Sequence, residues 1–115
     1  MPKNASVNFS YTPFGDETIL KSLLENWHRL DPRVTECGFN EDILVTFIDL
    51  EALIARSGLS KVEVMTINGI IEGATPSDIA ESYGGKRQAI NGYYRRAVTK
   101  IAERAKKEWA EYHGQ

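Results

Sequence analysis

The side chains with the most evident chemistry in this 115-residue sequence stand close behind two glycines. Gly84-Gly85 is followed by Lys86, Arg87 and Gln88, and then by Asn91. An arginine guanidinium presents paired donors that match the O6 and N7 acceptors of guanine, or two oxygens of a phosphate. A Gln or Asn amide offers one donor and one acceptor, the complement of adenine N6 and N7. Each bidentate pair of this kind discriminates between bases by about 1–3 kcal/mol. Tyr93, Arg95 and Arg96 follow with a phenol and two cations, chemistry better suited to backbone phosphate than to bases. Thr75 and Ser77, upstream, bring hydroxyls that can also reach phosphate.

These groups can share a ligand only if the chain gathers them near one helix start, and the local pattern does so. In Thr75-Pro76-Ser77-Asp78, Thr75 is a cap and Pro76 takes the first helical position, where its missing N–H does no harm. Asp78 fills the acidic place of a capping box. Ile79 and Ala80 should pack this short helix on a neighbour, with Ala80 small where the helices approach. Gly84 permits the turn after Tyr83 without a Cβ penalty. A second helix then begins at Lys86, because Ile90, Tyr94, Ala97, Ile101, Ala105 and Trp109 recur at steps of three and four. Tyr93 and Tyr94 are adjacent and cannot both face the core; Tyr94 is expected inside. Two helices joined by a short glycine turn form a helix-turn-helix, in which the start of the second helix meets the major groove.

Earlier elements must support this pair. Ile19, Leu20, Leu23, Leu24, Trp27 and Leu30 share one helical face, with Asp16 and Glu17 in the first turn and Asp31-Pro32 as the stop. Asn40 caps a second helix carrying Ile43, Phe47, Leu50 and Ile54, which Gly58 ends. Ser60 and Glu63 form a capping box for a third, in which Val64, Ile67 and Ile71 share a face. Asn68-Gly69 is also a hairpin signal. Its second arm would hold only Ile70 and Ile71, so a helix is preferred, with Gly69 costing it about 1 kcal/mol. Residues 1–15 have no sustained period and read as an N-terminal arm. The expectation is therefore an all-α fold of about five helices with a long last helix. Residues 16–115 form a single helical domain with the helix-turn-helix at 60–101.

Composition narrows the function classes. The chain is 42% apolar and 26% charged, with a net charge of −2. That charge divides unevenly, −5 over residues 1–72 and +3 over residues 73–115, which points an anionic partner toward the C-terminal part. A single cysteine, Cys37, excludes an internal disulfide and a cysteine zinc pair, and fits a reducing cytoplasm. No signal-peptide core precedes residue 16, and the apolar run near residues 43–48 is too short for a bilayer. His28 and His113 lie on separate elements, and Cys37 has no base nearby in sequence. The paired carboxylates Asp16-Glu17 and Glu41-Asp42 sit at helix starts, where the helix dipole explains them. No catalytic residue, metal ligand or cofactor is expected, and the chain does not read as an enzyme.

Residues 60–101 resemble the region-four helix-turn-helix of bacterial sigma factors, the module that reads the promoter −35 element. The shared pattern comprises Leu59-Ser60, Gly73, Thr75, Ile79, Gly84, Arg87, Ile90, Ala97 and Lys100-Ile101, without a gap from Gly73 onward. Small phage and plasmid transcription regulators use a similar module. The resemblance covers about 40 of the 115 residues. It implies sequence-specific binding of double-stranded DNA in transcription regulation, with RNA polymerase as a further partner. Gln88 stands where sigma factors usually carry an acidic residue, which implies a different preferred base. Gly92 stands where a longer base-reading side chain is common. The other residues do not resemble the remaining parts of a sigma factor, so the implied protein is a regulator that carries only the reading module. Two alternatives stay open: a DNA-packaging subunit of the small-terminase kind, and a protein-interaction module that binds RNA polymerase or another regulator. The stripe Ala102, Ala105, Trp109 and Tyr112 either packs on the helix containing Trp27 or forms a homodimer surface.

Overall fold

The computed structural model describes residues 13–34 and 40–113. Among them the fold is all-α, with five helices and no strand. A 3-10 turn at Pro13–Gly15 leads into α1 (Glu17–Leu30), α2 (Glu41–Ala55), α3 (Lys61–Ile71), α4 (Pro76–Tyr83) and the long α5 (Arg87–His113). Of the arm expected at residues 1–15, Pro13–Gly15 form the 3-10 turn and residues 1–12 lie outside the described residues, as does the loop with Cys37 and Gly38. No helix among the described residues is long and apolar enough to cross a membrane.

Each of the first four helices starts where a side chain satisfies its first amides. Asp16 accepts hydrogen bonds from the Thr18 and Ile19 N–H groups at 2.9 and 3.2 Å. Asn40 accepts from Ile43 N–H at 3.1 Å. Ser60 with Glu63, and Thr75 with Asp78, form complete capping boxes. Between residues 60 and 71 the chain is helical throughout, so the Asn68-Gly69 pair makes no hairpin.

α5 is the spine, touching every other element. Its inner face is Ile90, Tyr94, Ala97, Val98, Ile101, Ala102 and Ala105, all buried, and the three alanines let neighbouring helices come close. Leu20 and Leu24 of α1, Phe47 and Leu50 of α2 and Ile67 of α3 complete a core that excludes water almost entirely. Burying one such side chain contributes about 1.5–3 kcal/mol. Trp27 meets Phe47 with ring centroids 4.7 Å apart, which ties α1 to α2.

The inward face of α3 is rotated from the expected one. Glu63, Thr66, Ile67 and Ile70 are buried, whereas Val64 is 41% exposed. An apolar stripe could not reveal this, because two of the four inward residues are polar. Thr66 is accommodated by donating its hydroxyl to the Val62 carbonyl at 2.8 Å.

The C-terminal stripe of α5 packs within the chain, but mainly away from Trp27. Ala105 and Trp109 share a hollow of about 290 Å³ with Phe14 of the 3-10 turn and with Ala52 and Leu53 of α2. Glu108 receives Arg56 of α2 at 2.8 and 2.9 Å and Arg104 at 2.7 Å. Tyr112 lines the rim of the same hollow and is 82% exposed.

Candidate nucleic-acid interface

α4 ends at Tyr83, and Gly84 follows in the left-handed conformation with φ +88°. The Gly84 and Gly85 N–H groups both return to the Ala80 carbonyl, at 2.9 and 3.0 Å. This closes α4 within two residues and turns the chain directly into α5. Lys86 stands just before α5, its carbonyl accepting from Ala89 and Ile90 N–H at 3.0 and 3.2 Å. The Arg87 and Gln88 amides precede the first hydrogen bond of the helix, so they have no intrahelical acceptor and suit an anion.

The side chains of Lys86, Arg87 and Gln88 are exposed at this start, and Arg95 is exposed two turns on. Lys86, Arg87 and Arg95 carry no ion pair among the described residues. Five other cations are engaged: Arg33 with Asp31 and Glu51, Arg56 and Arg104 with Glu108, and Arg96 and Lys100 with Glu63. Lys21 and Lys61 also carry no ion pair among the described residues, so Lys86 and Arg87 are set apart by their place at a helix start and not by the lack of a partner.

The other expected site residues take distinct positions. Thr75 and Ser77 are exposed at the start of α4. Thr75 Oγ1 accepts from Asp78 N–H at 3.1 Å, and the Asp78 carboxylate accepts from Thr75 N–H at 3.1 Å. Hydrogen bonds to its carboxylate from the Thr75 N–H and then from the Thr75 side chain hold the Asp78 carboxyl below its ordinary range. Asn91 is half-buried and lines a hollow that Thr75 also lines, so the fold brings these two together. Tyr93 is half-buried, and the Arg96 guanidinium lies 5.3 Å from its ring centre. Arg96 also points its Nε to Glu63 at 3.5 Å, so it is drawn off the row formed by Arg87, Asn91 and Arg95.

Tyr94 is the buried member of the tyrosine pair, 7% exposed, and donates its hydroxyl to Glu25 of α1 at 2.7 Å. Burial first, and then the Glu25 carboxylate, push its phenol well above the ordinary tyrosine value. α5 is thereby fastened to α1.

Sequence reasoning took Glu63 only as a cap. In the fold it is 2% exposed and its Oε1 accepts from Ser60 N–H at 2.9 Å and from Lys100 Nζ at 2.7 Å. Burial alone would raise its pKa, but the bonds from Lys100 and Ser60 outweigh that and hold the carboxyl below its ordinary value. The ion pair that joins Glu63 of α3's capping box to Lys100 of α5, 37 residues on, has no local signature. Lys21 of α1, which lines the hollow beside Asn91, gave no signal either, because it looks like any exposed lysine on a helix.

Among the described residues, no group of three or more His, Cys, Asp and Glu side chains could hold a metal ion. Comparison with protein-family models, with curated proteins and with solved structures finds no match to this chain.

Proposed function

We propose that this chain is a sequence-specific double-stranded DNA-binding protein that regulates transcription in the cytoplasm, using the start of α5 as its reading head. The observation that carries the proposal is the exposed group Lys86, Arg87 and Gln88 at the start of α5, directly behind a glycine turn. Arg87 and Gln88, with Asn91 one turn on, read base edges. Lys86, Arg95 and the hydroxyls of Thr75 and Ser77 hold backbone phosphates, and Tyr93 and Arg96 flank them. The likeness of residues 60–101 to the sigma region-four module supports the same assignment, with RNA polymerase as a further partner.

The test is selection of bound sites from a random duplex pool at physiological salt, with Arg87→Ala and Gln88→Ala proteins alongside. An enriched motif that each substitution weakens or changes at one position is the expected result. The symmetry of that motif reports whether one or two copies bind. Equal recovery of all sequences by wild type and variants would overturn the reading.

One observation favours a second reading, a protein-interaction module. A hollow of about 760 Å³ between α3 and α4 is lined by Leu59, Val64, Met65 and Tyr83, and Val64 and Tyr83 are substantially exposed. Retention of RNA polymerase by the chain without any salt-sensitive DNA binding would favour this reading over the first.

A further inference from the structure

We infer, resting on the DNA-binding reading, that Lys21 of α1 joins Asn91 of α5 and Thr75 of α4 in a socket for one backbone phosphate of the duplex. The three residues line one open hollow of about 430 Å³, whose wall is the Gly73–Pro76 connection and whose floor includes Tyr94. They come from three different helices or their caps and converge only in the folded chain.

The donors in this hollow suit a phosphate. Lys21 is exposed, has no ion pair among the described residues, and holds its ammonium 5.9 Å from the centre of the Tyr94 ring. The ring keeps the lysine beside the hollow without neutralising it, as a cation over an aromatic face does. Thr75 Oγ1 accepts from Asp78 N–H and its hydroxyl also bonds the Asp78 carboxylate, so Thr75 borders the hollow while Lys21 supplies the charge. The Asn91 amide contributes a further donor. Asn91 follows Arg87 by one helical turn, so an occupant of the hollow lies next to the reading positions.

One group opposes an anion. Glu25 lines the same hollow, although its Oε2 already accepts the Tyr94 hydroxyl at 2.7 Å. Lys21 and Glu25 therefore act on a bound phosphate with opposite signs, and a merely structural role for either would not give that pair of effects. The contact positions the duplex and carries no base preference.

The test measures binding of the selected duplex by fluorescence anisotropy from about 50 to 200 mM salt, where each phosphate contact adds about 0.9 to the slope of log affinity against log salt. Lys21→Ala should bind more weakly, with a slope shallower by about 0.9 and an unchanged base preference. Lys21→Arg, which keeps the charge, should retain the wild-type slope. Glu25→Gln, whose amide oxygen still accepts from Tyr94, should bind more tightly than wild type. Wild-type binding with an unaltered slope in Lys21→Ala would overturn this contact alone. No duplex binding by the wild type would overturn the DNA-binding reading and the contact with it.

Discussion

Gly69 of α3 faces Ile79 of α4 so closely that a Cβ on the glycine would stand 2.7 Å from Ile79 Cδ1 and 2.8 Å from its Cγ1. Ile79 is 5% exposed and β-branched, so its χ1 is stiff and moving it aside disturbs the α4 packing. The glycine that weakens α3 by propensity is thus what lets α4 dock. Gly69→Ala should lower stability by about 1 kcal/mol, because an overpacking cost of roughly 1–3 kcal/mol exceeds the helix-propensity gain. Gly92 of α5 is the contrasting case, since a Cβ there would meet only Arg96 Nη1 at an ordinary 3.7 Å. Gly92→Ala should raise stability by about 0.5–1 kcal/mol. Urea unfolding midpoints of the two variants should move in opposite directions; movement in the same direction would contradict this account of the α3–α4 contact.

Glu63 governs how much positive charge α5 can offer. Its buried carboxylate holds Lys100 and draws Arg96. Glu63→Gln keeps an acceptor for Ser60 N–H but removes the charge, and both cations are exposed enough to rehydrate. On the DNA-binding reading, this variant should bind duplex more tightly and with a steeper salt dependence than wild type. A slope unchanged from wild type would show that Arg96 and Lys100 stay off the DNA whether or not Glu63 restrains them.

Much of the fold was legible because it is written in local chemistry. Asn40, Ser60 and Thr75 cap the helices that their positions announce, Asp16, expected within the first turn of α1, stands one residue earlier as its cap, and Gly84 turns the chain where the glycine pair predicts. The exposed start of α5 was legible for the same reason, since a helix start after a turn is a local property. Pairings between distant helices were not. Tyr94 with Glu25 joins residues 69 apart, and Lys100 with Glu63 joins residues 37 apart. Neither partner differs in type from an ordinary exposed charge, and only packing makes Glu63 inward. The hollow shared by Lys21, Thr75 and Asn91 was hidden for the same reason.

Asp31 shows how a residue read as a helix stop acquires a second task. It is 2% exposed, and its carboxylate accepts Trp27 Nε1–H at 2.9 Å, Arg33 N–H at 2.9 Å and the Arg33 guanidinium at 2.9 and 3.1 Å. Burial raises its pKa, but the Arg33 and Trp27 bonds outweigh that and keep the carboxyl below its ordinary value. Asp31→Ala should cost about 1–3 kcal/mol, because the buried indole N–H loses its acceptor. Asp31→Asn retains an acceptor and should cost less. Equal unfolding midpoints for the two variants would remove the Trp27 bond from the explanation.

The Arg56–Glu108 pair fastens α5 to α2 and should make stability depend on acid. Hydrogen bonds from Arg56 and then Arg104 push the Glu108 carboxyl from 4.5 down to about 2, against a smaller opposing effect of burial. A carboxylate depressed in the folded state stabilises the fold above its unfolded pKa, and that contribution is lost as pH falls through the folded value. The loss attributable to Glu108 therefore begins near pH 4.5 and is complete only near pH 2. Glu63 and Asp31, also depressed, act in the same direction. Glu108→Gln should lower the melting temperature at neutral pH and leave a shallower decline below pH 4.5 than wild type shows. Added salt should narrow the difference between the two proteins, because both partners are partly exposed and screened by ions. Parallel acid-melting curves for wild type and variant would show that this pair contributes nothing to holding α5 on α2.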